Sequence, residues 1–174
     1  MDAYDGENDD TLDEDTLNLW LQECDVSEDD SKTILVRPGH PLDYAYSFAG
    51  QIIVNKTGEG QGLPCNSAQS YYQSEKSLLM NNPRLAETVR VADNPLRAGF
   101  VPEEDFDDNW YNLYKIDTAF RANWLKFTQN DDLAEQLLST GNSRIVSRNN
   151  CSWGEITGKI LMVIREILRR KANR

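Results

Sequence analysis

Gln69, Tyr72, Gln73 and Lys76 bring two amides, a phenol and an amine together at three- and four-residue spacing just after Ser67. On a helix that spacing places all four on one stripe. Ser67 supplies a helix N-cap, Ala68 falls on the same stripe, and Tyr71, Leu78 and Leu79 offer apolar surface to fix the helix against a core. Polar groups on a stripe held against a core form a pocket wall. The same groups facing water form an ordinary amphipathic helix, and periodicity alone leaves both open.

Acids that could work beside this stripe are few. Residues 105–127 read as the longest helix, with Trp110, Leu113, Phe120 and Trp124 on one stripe and Asp117 among them. An aspartate there costs desolvation unless it is working or is paired, with Lys115 or Arg121 as partner. Glu155, two residues after Trp153, is the other candidate. His40, between Gly39 and Pro41 in a turn, is the only histidine, and Cys24, Cys65 and Cys151 lack ligand spacing. Metal chemistry, a Ser-His or Cys-His nucleophile and a resident cofactor are therefore unsupported. Glycines at 58, 60 and 62 suit a hairpin turn better than a phosphate cradle, since no helix follows directly and no Lys-Ser/Thr pair closes the loop.

The 174 residues suffice for one domain and a tail. The net charge of −11 is unevenly spread: residues 1–31 hold 13 acidic and no basic side chains, leaving 16 of the 29 acids against all 18 basic residues. A near-neutral body leaves phosphate-bearing ligands open. Residues 1–31 have the composition of a largely disordered acidic tail, and residues 32–174 of the folded domain. Within the tail, Thr11 and Glu14 fit a capping box and Leu17, Trp20, Leu21 and Cys24 follow at helical spacing, so residues 11–24 read as a short amphipathic helix. It has two uses: docking a protein partner through Leu17, Trp20 and Leu21, or packing on the body. The tail's composition predicts that deleting it leaves stability nearly unchanged. No apolar run reaches membrane-spanning length, the N-terminus is unlike a signal peptide, and the odd, scattered cysteines suit reduced thiols of an intracellular protein, cytoplasmic or nuclear.

Short β-branched runs at Thr33–Val36, Gln51–Val54 and Ile145–Val146 read as strands, with turns at Pro38, Gly39, Pro41 and Gly50. Asn82-Pro83 opens a helix as cap and first-turn proline, and Asn94-Pro95 opens another turn. The last helix carries Ile160, Val163, Ile164, Ile167 and Leu168, and its basic end, Arg169 to Arg174, opposes the helix dipole. That explanation of the cluster argues against direct nucleic-acid binding.

Four blocks resemble the NADAR, or YbiA-like, superfamily. They are Ser67 to Lys76, Lys126-Phe127-Thr128-Gln129-Asn130, Leu137-Leu138-Ser139-Thr140-Gly141, and Gly158, Leu161, Met162 and Arg165 in the last helix. The resemblance covers Cys65 to Leu168 and implies an α+β, mostly α, fold with a small β-sheet packed by helices. It also implies cleavage of N-glycosidic bonds in phosphoribosylamino-pyrimidines of riboflavin synthesis, or removal of ADP-ribose from guanine bases. Such cleavage builds positive charge on the sugar, which a carboxylate steadies while an acid protonates the leaving nitrogen. A lysine, here Lys76, can instead capture the opened sugar as an imine, and Trp110 or Trp153 can stack on the base.

Three positions that are acidic in the family read here as Gln69, Ser147 and Asn150. Each replacement keeps hydrogen bonding and deletes the charge. Gly99 is followed by Phe100 where the family often has arginine, with Arg97 the nearest substitute. The resemblance therefore implies either a non-catalytic relative that binds a ribosylated ligand or a protein partner, or an N-glycosidase of altered chemistry. In both, Gln69, Tyr72, Gln73, Trp110, Asn150 and Trp153 are the binding candidates, and in the second Lys76, Asp117 and Glu155 carry the catalysis.

Overall fold

The computed structural model describes residues 1, 4, 11–47, 52–54, 62–99, 108–147 and 153–174. Its architecture is α+β and mostly helical, as expected, with two pairs of short strands packed by helices. The first helix, Glu14–Gln22 (α1), is capped by Asp13 rather than by Thr11: the Asp13 carboxylate accepts the Thr16 N–H at 2.8 Å. Aspartate is as good an N-cap as threonine, and Asp13 is the residue in register with Thr16.

Of the two uses open to this helix, the fold shows packing on the body. Leu17 is fully buried, and Trp20 and Leu21 pack against the same core. Tyr4 meets Trp20, Phe120 and Trp124 edge to face at 5.9, 4.9 and 5.1 Å. The Leu12 N–H donates to Asp117 Oδ1 at 3.1 Å, and Lys171 Nζ donates to the Tyr4 carbonyl at 3.0 Å. Arg170 donates to the Glu23 carbonyl at 3.0 Å. The basic end of the last helix is thus a latch on the N-terminal segment. Disorder expected of residues 1–31 falls, at 2, 3 and 5–10, on positions outside the described residues, while Leu12, Leu17, Trp20, Leu21, Cys24, Val26 and Ser27 contact the domain.

Strand Ile34–Val36 (β1) runs parallel to Ile145–Ser147 (β4), with Ile34 opposite Ile145. Strand Ile52–Val54 (β2) pairs antiparallel with Leu63–Cys65 (β3), as a hairpin requires; its glycines at 58 and 60 lie outside the described residues. Helices Ala68–Leu79 (α2), Pro83–Arg90 (α3) and Pro95–Ala98 (α4) follow, with Ser67, Asn82 and Asn94 as caps whose side chains accept the expected backbone N–H groups. A π-helical turn at Trp110–Tyr114 then leads into Lys115–Thr128 (α5), and Asp131–Ser139 is α6.

The longest helix is not the expected one but Trp153–Ala172 (α7), 20 residues long. Sequence periodicity over 105–127 ran through the π turn, where the Lys115 N–H reaches back five residues to the Trp110 carbonyl. That extra residue breaks the stripe: Trp110 is buried whereas Leu113 is exposed.

α7 is the spine. Ile160, Leu161, Val163, Ile164 and Ile167 are buried in the core. Gly158 lies so close to the Ile145 carbonyl that no Cβ fits, so α7 can touch β4 only with glycine there. Arg165, buried, donates to Thr140 Oγ1 and the Ser143 carbonyl, both at 2.8 Å, and Gly141 ends α6 region with φ +60°. The blocks at 137–141 and 158–165 are two sides of one joint.

Leu17 and Leu19 test the place of the N-terminal helix. Leu17→Ala removes a fully buried side chain and is expected to cost about 2–5 kcal/mol in urea unfolding, whereas Leu19→Ala, at a position 61% exposed, is expected to cost about 0.5 kcal/mol or less. Equal costs would return α1 to the surface.

Candidate ligand-binding cleft

Three helices and one loop converge on a cavity of about 530 Å³, its open mouth included. α2 contributes Ala68, Tyr72 and Gln73, α5 contributes Ala119, Ala122 and Asn123, and the first turn of α7 contributes Trp153 and Thr157. Tyr44, from the turns after β1, completes the wall. The alternative in which the α2 stripe faces water is therefore not realised.

The stripe is arranged in depth. Tyr72 and Gln73 line the cavity, and Tyr72 stands edge-on to Trp153 at 5.7 Å and to Trp110 at 5.2 Å. Gln69 sits behind the wall, buried, with Nε2 donating to Tyr44 Oη at 2.8 Å and its backbone N–H to the Tyr44 carbonyl at 2.9 Å. Lys76, one turn beyond Tyr72, holds its ammonium 5.8 Å from the centre of the Trp110 ring. Half-burial lowers its pKa below the usual lysine value.

The other sequence candidates are placed differently. Trp110 is buried and packs edge-on against Tyr72, so of the two tryptophans only Trp153 lines the cavity. Asp117 is on α5 but turned from the cavity: Ala122, five residues on, is about 140° round the helix. Its carboxylate is engaged by the Leu12 N–H and, at 3.4 Å, by Arg121, the pairing that was the alternative to catalysis. Glu155 has its side chain 77% exposed and lies 3.7 Å from Lys159, pointing to water because it is two residues, about 200°, from Trp153. Arg97 is exposed, and Asn150 falls outside the described residues. Ser147 is buried with an unpartnered hydroxyl.

Tyr44, Asn123 and Thr157 are cavity residues that sequence reasoning missed. Behind Tyr44 lies a second missed feature, an ionisable pair in the interior. Lys126 is completely buried and donates from Nζ to the Asp43 carbonyl at 2.7 Å. Asp43, also buried, accepts the Gly39 N–H at 3.2 Å through Oδ2. Desolvation pushes Lys126 down to about 7, against a smaller opposing effect of the Asp43 charge. The tyrosine that faces the cavity is thus held from α2 by Gln69 and, through its neighbour, from α5 by Lys126.

Among the described residues, no carboxylate, lysine or arginine lines the cavity, and no group of histidine, cysteine and acidic side chains could hold a metal. Aromatic rings, two amides, the phenols of Tyr44 and Tyr72 and the Thr157 hydroxyl remain. They can stack and hydrogen-bond, but they cannot balance a charge.

The NADAR domain matches residues 44–169, most of the chain. This chain belongs to the NADAR family. The match begins at Tyr44, earlier than Cys65, and so takes in the loop that completes the cleft. Among curated relatives, N-glycosidase R617 of Acanthamoeba polyphaga mimivirus is 28% identical over 123 residues, 58% of this chain and 72% of the relative. Riboflavin biosynthesis protein VVA0006 of Vibrio vulnificus strain YJ016 is 30% identical over 120 residues, 61% of this chain but only 31% of that protein. The NMR structure of the Escherichia coli protein YbiA has the same fold, with a TM-score of 0.62 at 21% identity, covering 82% of this chain and 88% of that one. The NADAR assignment thus rests on sequence and fold together. No helix among the described residues is long and apolar enough to cross a membrane.

Lys126 gives the stability of this domain a characteristic pH dependence. Its folded pKa of about 7 lies below the ordinary lysine value of 10.5, so between these values the unfolded chain binds the extra proton and stability rises with pH. Below about 7 both states are protonated and the burial penalty is fully felt. Lys126→Met lacks this dependence. The stability difference, wild type minus Lys126→Met, is expected to grow in favour of wild type from pH 7 to pH 9 in urea melts, and a flat difference would contradict the burial of the amine.

Proposed function

We propose that this NADAR domain binds a ribosylated ligand, phosphoribosyl or ADP-ribosyl in class, and does not cleave its N-glycosidic bond at the rate of a family site with its acids in place. The observation that carries this reading is the neutral wall of the cleft. The three acidic positions of the family hold Gln69, Ser147 and Asn150, and the two acids that could have replaced them are engaged elsewhere: Asp117 by Leu12 and Arg121, and Glu155 near Lys159 at the surface. A forming oxocarbenium ion needs a fixed negative charge close by. Removing one preorganised group typically costs a factor of about 100 to 1,000 in rate. Binding is less affected, because stacking on Tyr72 or Trp153 and hydrogen bonds to Gln73 and Asn123 require no charge.

A protein-binding role through Leu17, Trp20 and Leu21 fits less well, since that helix already lies on its own core. One observation favours a second, enzymatic reading. Lys76 has a lowered pKa beside the aromatic cluster, as an amine that attacks a sugar carbonyl requires.

The two readings separate in one set of assays. Titration calorimetry with ribose 5-phosphate and ADP-ribose is expected to show saturable binding, weakened about tenfold or more by Trp153→Ala, in keeping with about 1–3 kcal/mol per stacked base. Incubation with a phosphoribosylamino-pyrimidine or with ADP-ribosylated guanine is expected to release no sugar phosphate above background. Turnover that vanishes in Lys76→Ala, or a borohydride-trapped adduct on Lys76, would establish the enzymatic reading instead.

A further inference from the structure

The side chain of Asn123 lies in the cavity wall yet only 3% of the residue is exposed. Its Nδ2 is committed to the Ala119 carbonyl at 2.9 Å, one turn back along α5. That bond fixes which end of the carboxamide is which, because a carbonyl accepts only from the NH₂ group. The Oδ1 atom is then left over. It is buried and has no hydrogen-bond partner.

A buried acceptor without a donor carries an unrelieved desolvation penalty, which anything bringing an N–H or O–H to it would remove. The terminal torsion of an asparagine is soft, so the oxygen can turn towards a donor arriving at the wall. The surroundings select among donors. Ala68, Ala119 and Ala122, which line the same cavity, have side chains that neither donate nor accept a hydrogen bond. Tyr44, Tyr72 and Trp153 supply aromatic surface that suits a flat ring.

We infer that Asn123 is a specificity-determining residue of the cleft, accepting a hydrogen bond through Oδ1 from the exocyclic amine of a flat heterocycle packed against the aromatic wall. This rests on the ligand-binding reading above and assigns the end of the ligand remote from the sugar. Discrimination of this kind is strong for its size, since a ligand without the amine leaves the buried oxygen unpaired.

The test uses the full chain and matched ligands: adenosine and cytidine 5′-monophosphates, each against the riboside monophosphate lacking only the exocyclic amine, with ribose 5-phosphate as the sugar alone. At least one aminated ligand is expected to bind about tenfold tighter than its partner, and Asn123→Leu to erase that preference. Equal affinities within both pairs, or a preference that survives Asn123→Leu, would overturn the inference. Should Asn123→Leu fail to fold, the side-chain amide resonance of Asn123 in the wild type decides: it shifts with the aminated ligand alone if the inference holds, and with both or neither if it does not. Binding of ribose 5-phosphate without a base preference would overturn the role of Asn123 and leave the ribosyl reading standing. Amine-dependent binding of the free bases adenine or cytosine, without any affinity for ribose 5-phosphate, would do the reverse. Silence of every ligand would overturn both.

Discussion

The cleft exists because a lysine is buried where it can give a hydrogen bond but finds little to balance a charge. Lys126 reaches from α5 to the Asp43 carbonyl, and that bond fixes the turns that present Tyr44. Gln69 holds the same tyrosine from α2 through both its backbone and its ring hydroxyl. Neither helix could move without dragging Tyr44 out of line. The geometry of the wall is therefore a property of the core. A lysine makes an economical tie in this position, because its long stem packs among apolar groups while its nitrogen satisfies a carbonyl that would otherwise be orphaned in the interior.

These ties on Tyr44 give meaning to a cleft lined, among the described residues, by neutral side chains. A loosely built pocket could recruit a distant carboxylate by a small shift. Here the nearest sequence candidates are bound into the structure: Asp117 closes the N-terminal segment onto α5, and Glu155 stands on the outer side of α7. Freeing Asp117 would break its bond to the Leu12 N–H and its ion pair with Arg121. The chain has retained the shape-giving parts of a NADAR domain, including the joint between Arg165 and Thr140 and the glycine that lets α7 meet β4. Shape and charge are separable in such a site, since aromatic stacking and neutral hydrogen bonds hold a ligand with or without the anion that its reaction requires.

How much of this was legible in the sequence depended on whether the cause lay nearby in the chain. The α2 stripe was readable because a cap and a three-to-four spacing are local signals, and the cap at Asn82 was readable for the same reason, whereas Asn94-Pro95 read as a turn and opens the single-turn helix α4. β3 was missed because Pro64 interrupts it, and proline survives only because the two-stranded pairing leaves an open edge. Asp117 had two explanations on periodicity, and the one that applies depends on a backbone N–H 105 residues away. Tyr44 stands among turns with no period at all, and its partner lies 25 residues on. Asn123 hid among alanines on a stripe that reads as core. The part it takes appears only when one asks which of its two polar ends has been used.

The N-terminal segment shows the same limit from the opposite side. Thirteen acids without a basic residue make residues 1–31 look like a solvated tail when composition is averaged. Averaging conceals Leu17 and Trp20, which are few but sit at the spacing that one helical face requires, and conceals Arg170 and Lys171 of α7, which complete the pairing from the far end of the chain. The acidity is thus partly complementary: Glu23 lies beside Arg170, and Glu14 lies 3.8 Å from Lys159. Such exposed pairs contribute little to stability by themselves. They set the helix in register, and the burial of Leu17, with the aromatic contacts of Tyr4, supplies most of the energy that keeps it there. A domain closed in this way, with its first helix latched to its last and Asp117 engaged in the closure, has used on its own architecture an acid that sequence alone left open to chemistry.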